Sequence, residues 1–152
     1  MSMSAILIPL AIAVIATANA SKDAIKSSCM QPEKSRQPIL SRYADNRMLK
    51  KTLTEHGASV EEISENRIKA SFAEGSLTYV RNTPEEAFSI LIDSINCVDK
   101  FLEELDQIYD EYCNNVQSYT YERVMQNLPE NMDVEKEEVM DDNSILITLN
   151  VN

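Results

Sequence analysis

A chain of 152 residues that is 43% hydrophobic is long enough to bury one domain-sized core. Its 25 acidic and 14 basic side chains give a net charge of −11, which argues against nucleic-acid binding because neutralising phosphates takes clustered Lys and Arg. With only Gly57 and Gly75 as glycines, loops that cradle phosphates through closely approaching backbone amides are also disfavoured.

The first feature in chain order is the run SAILIPLAIAVIATANASK, Ser4 to Lys22, which carries no charge before its last residue. The small-x-small triplet Ala18-Asn19-Ala20 has the form of a signal-peptidase site, yet Met1 to Ser4 lacks the basic residues that usually precede a signal core. The first lysines, Lys22 and Lys26, follow the run, a placement that would keep the following side in the cytoplasm. The 16 residues from Ala5 to Ala20 would make about 24 Å of helix, somewhat short of the roughly 30 Å hydrocarbon core. A retained membrane anchor formed by residues 5–20, with a cytoplasmic domain behind it, is the leading expectation. A secretion signal cut after Ala20 and a buried or self-associating helix are the alternatives.

Residues 21–41 contain Pro32, Pro38, several Ser and scattered charge, the composition of a linker. Residues 42–152 read as one acidic folded domain. Asp45 is placed to cap a helix over 46–56, with Met48, Leu49 and Leu53 inward and Gly57 as the stop. The period then changes to two, predicting strands over 59–64 and 67–72 joined at Glu65-Asn66, and a third over 76–81. Thr83-Pro84-Glu85-Glu86 has the form of a capping box with Pro at the first helical position. From there Leu91, Ile95, Val98, Leu102, Leu105, Tyr109 and Tyr112 recur at three or four, predicting a helix that continues toward Leu128 with a break near Asn114-Asn115. Strands over 133–139 and 144–151 follow, joined by the turn triplet Asp141-Asp142-Asn143. The predicted fold class is α+β: a two-layer sandwich of about five mainly antiparallel strands with helices on one face, plus the amino-terminal apolar helix.

The chemistry-bearing residues are few. His56, the single histidine, falls at the end of the first helix, where it suits the last carbonyls and the dipole. Cys29, Cys97 and Cys113 are too widely spaced for a zinc knuckle and are odd in number; free thiols are the plain reading, with a Cys97–Cys113 pair the alternative in an oxidising compartment. Glu135, Glu137, Glu138, Asp141, Asp142 and Asn143 lack the ordered spacing of a calcium loop and read as a solvated hairpin. No catalytic constellation, cofactor or metal site is expected. Asp99, Glu103, Asp106 and Asp110 share one outer helix face, a candidate docking surface for a partner with a basic surface. Tyr121 lies off the apolar stripe and is a further interface candidate.

Gln117, Tyr119, Tyr121 and Val124, then Val134-Glu135 and Glu138-Val139, the acidic turn at Asp141-Asp142-Asn143, and Ile145 to Leu149 together resemble the hypothetical chloroplast reading frame thirty-five family. The resemblance covers roughly residues 42–152 and is strongest in the last 40. The chain departs from that family in its short middle hairpin, in Asn131 where a Gly is usual after the last helix, and in its apolar leader. The family has no assigned activity. The resemblance implies by analogy an accessory role beside an AAA-type ATPase.

The expected function is therefore a non-enzymatic, membrane-tethered protein-interaction or adaptor module. A secreted or periplasmic binding protein and a cytosolic ATPase accessory protein are the alternatives, and the oligomeric state stays open.

Overall fold

The computed structural model describes residues 2–10 and 23–152. It is α+β, with two antiparallel sheets of three and five strands and, among the described residues, three helices. The chain divides into two compact units, one formed by the amino-terminal strand with Cys113–Asn152 and the other ending at Tyr112.

The amino-terminal unit corrects the reading of the apolar leader. Residues Ser2–Ile8 form strand β1, antiparallel to a strand at the other end of the chain, with Ser4 opposite Leu149 and Ile8 opposite Ile145. Among the described residues no helix is long and apolar enough to cross a membrane, so the expected membrane anchor at residues 5–20 is not supported: residues 5–8 are strand, and residues 11–20 lie outside the described residues. Length gives the physical reason. Once residues 5–8 are committed to a strand, the 12 left in the run would make only about 18 Å of helix, little more than half of the hydrocarbon core. A cut after Ala20 would remove β1 and with it Ile8, which is 1% exposed.

In the second unit a short helix over 23–29 (α1) buries Ile25 and Ser28 within the stretch read as linker. Arg36 closes this region: Nε donates to Ser28 O at 3.1 Å and Gln31 O at 3.2 Å, and Nη1 to Asp93 O at 2.9 Å. A two-residue strand, β2 (Ile39–Leu40), follows. Helix α2 (Asn46–Glu55) starts as its cap predicts, the Asp45 carboxylate accepting from Met48 N–H at 3.0 Å. It ends at Gly57, whose φ of +92° is the left-handed conformation glycine adopts without a Cβ penalty. Met48, Leu49 and Leu53 are all buried.

Strands β3 (Ser59–Ser64) and β4 (Arg67–Phe72) turn at Glu65-Asn66 as expected, and β5 (Gly75–Val80) pairs with β4. The next element departs from expectation. Thr83–Glu86 is a turn closed by Glu86 N–H donating to Thr83 O at 3.2 Å, and the segment after it is strand β6 (Ser89–Ile95). The Glu86 carboxylate accepts from Asn82 N–H at 3.2 Å, one residue before the Thr83 N–H that the reciprocal box would use, so the contact closes a turn and starts no helix. Ser-Ile-Leu-Ile-Asp-Ser-Ile satisfies a period of two as well as a period of three or four. Pairing to β5 on one side and β2 on the other decides for the strand, which suits its β-branched residues.

The five strands lie in the order β2-β6-β5-β4-β3, with Ile68, Ala70, Leu77, Tyr79, Ile90 and Ile92 buried on one face. Helix α3 starts at Val98 and runs unbroken to Gln126. The expected break at Asn114-Asn115 is absent. Two weak helix formers cost about 0.5 kcal/mol each, less than the several backbone groups that a break would leave without partners. On its first half, Tyr109 and Tyr112 set their rings edge-to-face against Tyr43, with centroids 5.7 and 4.8 Å apart. The Tyr112 hydroxyl accepts from Ala44 and Asp45 N–H, each at 3.0 Å. Burial pushes the Tyr79 phenol far above its ordinary range, so this aromatic group stays neutral and packs as core.

Arg81 organises the loops at this end. Nε donates to Asn66 Oδ1 at 3.0 Å, Nη2 to Glu65 O at 3.2 Å, and Nη1 reaches Ala44, Pro84 and Glu86 carbonyls. Its guanidinium lies 4.2 Å from the Phe88 ring centroid. Lysine keeps the charge but not the planar fork, so Arg81→Lys is expected to lower stability by about 2 kcal/mol, read as a fall in the urea midpoint; an unchanged midpoint would show that these carbonyls are satisfied without it.

The carboxy-terminal hairpin comprises β7 (Met132–Val139) and β8 (Ile145–Val151). Asn143 sits in the left-handed region at φ +65°, and Asp142 Oδ1 accepts from Ser144 N–H at 3.0 Å and from its hydroxyl. These bonds hold the Asp142 carboxyl below its ordinary range. Its contribution to the turn is therefore complete above the usual aspartate pKa and fades as pH falls through the lowered value. With β8 central, the order β1-β8-β7 makes the predicted single five-stranded sheet two separate sheets.

Candidate functional site

Of the sequence-predicted site residues, Asp99, Glu103, Asp106 and Asp110 are all exposed on the first half of α3. Tyr121 belongs to the other compact unit and is described there by itself. Tyr121 is also less exposed than its place off the stripe suggests. It is half-buried and packs with Ile6, Val124, Met125 and Leu128 around the buried trio Ile8, Ile147 and Leu149.

The Tyr121 hydroxyl donates to Glu137 Oε1 at 2.6 Å. That bond to a carboxylate, the largest influence, raises the phenol's pKa above its ordinary value. Tyr121 is thus a fixed donor at neutral pH and a poor general base. Glu137 reaches the helix side of the sheet because of a bulge. The pairing of β7 with β8 runs Val134 opposite Leu149, Lys136 opposite Thr148, then Glu137 opposite Ile147 and Val139 opposite Ile145. One extra residue between Val134 and Lys136 switches which parity faces inward. Without it Lys136 and Glu138 would point toward α3 in place of Glu137 and Val139.

The outcome is a groove of about 460 Å³ between the second half of α3 and the end of β7, lined by Ser118, Tyr121, Glu122, Glu137, Val139 and Ile145 with Glu138 at its side. Val139 is 73% exposed, and Glu138 pairs with Lys136 on the same strand. An apolar floor with a carboxylate rim is what the methylene stem and charged head of Lys or Arg require. Sequence reasoning read Glu137 and Glu138 as turn solvation and assigned Val139 no role. The signal that could have found them is the parity conflict in Met132-Asp-Val-Glu-Lys-Glu-Glu-Val139: Met132 and Val134 are even, Val139 odd, and all can face one side only across a bulge.

Elsewhere, the His56 ring leaves the helix end. Its backbone N–H donates to Thr52 O at 3.0 Å while Nδ1 lies 3.4 Å from Glu111 Oε1 and the ring stands edge-on to Phe72. The three cysteines are free thiols. Among the described residues no three His, Cys, Asp or Glu side chains are grouped to hold a metal ion. No family model, curated protein or solved structure matches the chain, so functional inference rests on this geometry.

Proposed function

We propose that the chain is a non-enzymatic protein-interaction module that docks a basic partner, with the groove beside Tyr121 as its contact point. The observation that carries this reading is the 73% exposed Val139 set in a groove with Glu122, Glu137 and Glu138. An apolar side chain left that open beside carboxylates suits an interface whose rim is charged. The exposed Asp99, Glu103, Asp106 and Asp110 add to the field of a chain at −11, which would speed encounter with a positively charged partner at low salt. The raised Tyr121 pKa supports binding over proton transfer, since the phenol is held as a donor.

The test uses a fluorescent nonapeptide of alternating Lys and Val, titrated with the full chain and followed by anisotropy. Binding should weaken as salt rises. Glu137→Lys/Glu138→Lys should lower affinity by about tenfold, and Asp99→Lys/Asp106→Lys should act chiefly on the association rate. Equal binding of an alternating Glu and Val peptide, or no loss in the groove variant, would refute the proposal.

A further inference from the structure

We infer that β1 is a self-association edge: two copies of this chain pair their β1 strands antiparallel about a two-fold axis at Ala5, joining two three-stranded sheets into one of six strands. Three observations carry this.

The first is the state of the edge. Among the described residues β1 is the outer strand of its sheet, and its seven residues contain no charge and no proline. Its pairing with β8 is in unbroken register, without the bulge found in β7. A seven-residue apolar strand at the edge of a sheet is a template for another strand.

The second is charge, which chooses the occupant. Sheet edge β7 carries Asp133, Glu135, Glu137 and Glu138 against the one Lys136, edge β3 carries Glu61 and Glu62, and edge β2 is two residues long. Two molecules at −11 each repel wherever carboxylates face one another. The uncharged β1 is the sheet edge, among the described residues, where a second copy can approach without opposing acids. A basic partner gains nothing there and is drawn to β7.

The third is self-complementarity, which a two-fold interface demands. Pairing about Ala5 sets Ser4 against Ile6 of the second copy on the inner face, and Met3 against Leu7 on the outer face. Met3 and Leu7 are 57% and 58% exposed, and this register covers both at once. Leu146, directly across from Leu7, extends the same apolar strip.

Light scattering on the full chain eluting from a sizing column, over a concentration series, tests this. The wild type should approach twice the 17.2 kDa of one chain. Met3→Lys/Leu7→Lys opposes two ammoniums at each cross-strand position and should give a one-chain mass. Met3→Glu/Leu7→Lys adds as many charges at the same positions but sets opposite signs across the axis, and should restore the two-chain mass, controlling for misfolding. A one-chain wild type, a two-chain Met3→Lys/Leu7→Lys, or a one-chain Met3→Glu/Leu7→Lys would each overturn the inference.

Discussion

A chain lacking residues 1–8 is expected to lose the folded state of its β7–β8 unit. Ile8 is 1% exposed and packs with Ile147 and Leu149 as the centre of that unit's core. Burying an isoleucine contributes about 1.5–3 kcal/mol, and leaving its cavity adds to the loss. Removing β1 also strips the seven residue pairs it makes with β8, leaving the apolar strand β8 as a bare edge. The combined loss of about 5 kcal/mol or more is comparable with the whole stability of a typical domain. Backbone amide NMR of the truncated chain should show collapsed dispersion for Met132–Val151, with dye binding to exposed apolar surface. Preserved dispersion there would mean that β1 is dispensable. Native protein should therefore retain β1, and a mature chain beginning at Ser21 would contradict this.

The second large effect lies in the five-stranded unit. Phe101 is fully buried in the first turn of α3, its ring edge-on to Phe72 with centroids 6.3 Å apart. Phe101→Ala should cost about 3–5 kcal/mol. Gly75 is coupled to it. A Cβ at Gly75 would come 2.6 Å from the Ser94 carbonyl oxygen and 3.1 Å from the Phe101 ring, so Gly75→Ala should cost about 1–3 kcal/mol by overpacking. With Phe101 already truncated, the ring contact disappears while the Ser94 carbonyl, held in the β5–β6 ladder, remains. The two costs should therefore sum to about 0.5–1 kcal/mol more than the double variant loses. Urea denaturation of the four proteins measures this, and strict additivity would show that the ring does not limit the space at Gly75.

Much of the fold was legible where a local signal had no competitor. The Asp45 cap, the Gly57 stop, the Glu65-Asn66 turn and the final acidic turn each depend on side chains meeting backbone within a few residues. Misreadings arose where two local patterns fit the same letters. Thr83–Glu86 has the letters of a capping box and Leu91, Ile95 and Val98 a helical spacing, yet β6 forms because its partners β5 and β2 satisfy its backbone on both sides. The leader failed in another way: hydrophobicity shows that a segment avoids water, but not whether lipid or protein supplies the alternative. Its partner, β8, lies at the opposite end of the chain. The candidate groove was half legible. Tyr121 stood out by its place on the helix, whereas Glu137 and Val139 depend on a bulge whose trace was an overlooked change of parity.

Composition, charge and nearest-neighbour chemistry thus settled the acidic character, the α+β class and most element boundaries, because those properties are sums over single residues or contacts within one turn. Folding in three dimensions chose which apolar strand pairs with which, that the eight strands among the described residues form two sheets, and which face Glu137 presents. These choices depend on residues far apart in sequence, such as Ile8 with Ile145 and Glu137 with Tyr121, whose mutual satisfaction exists only once the chain has closed on itself.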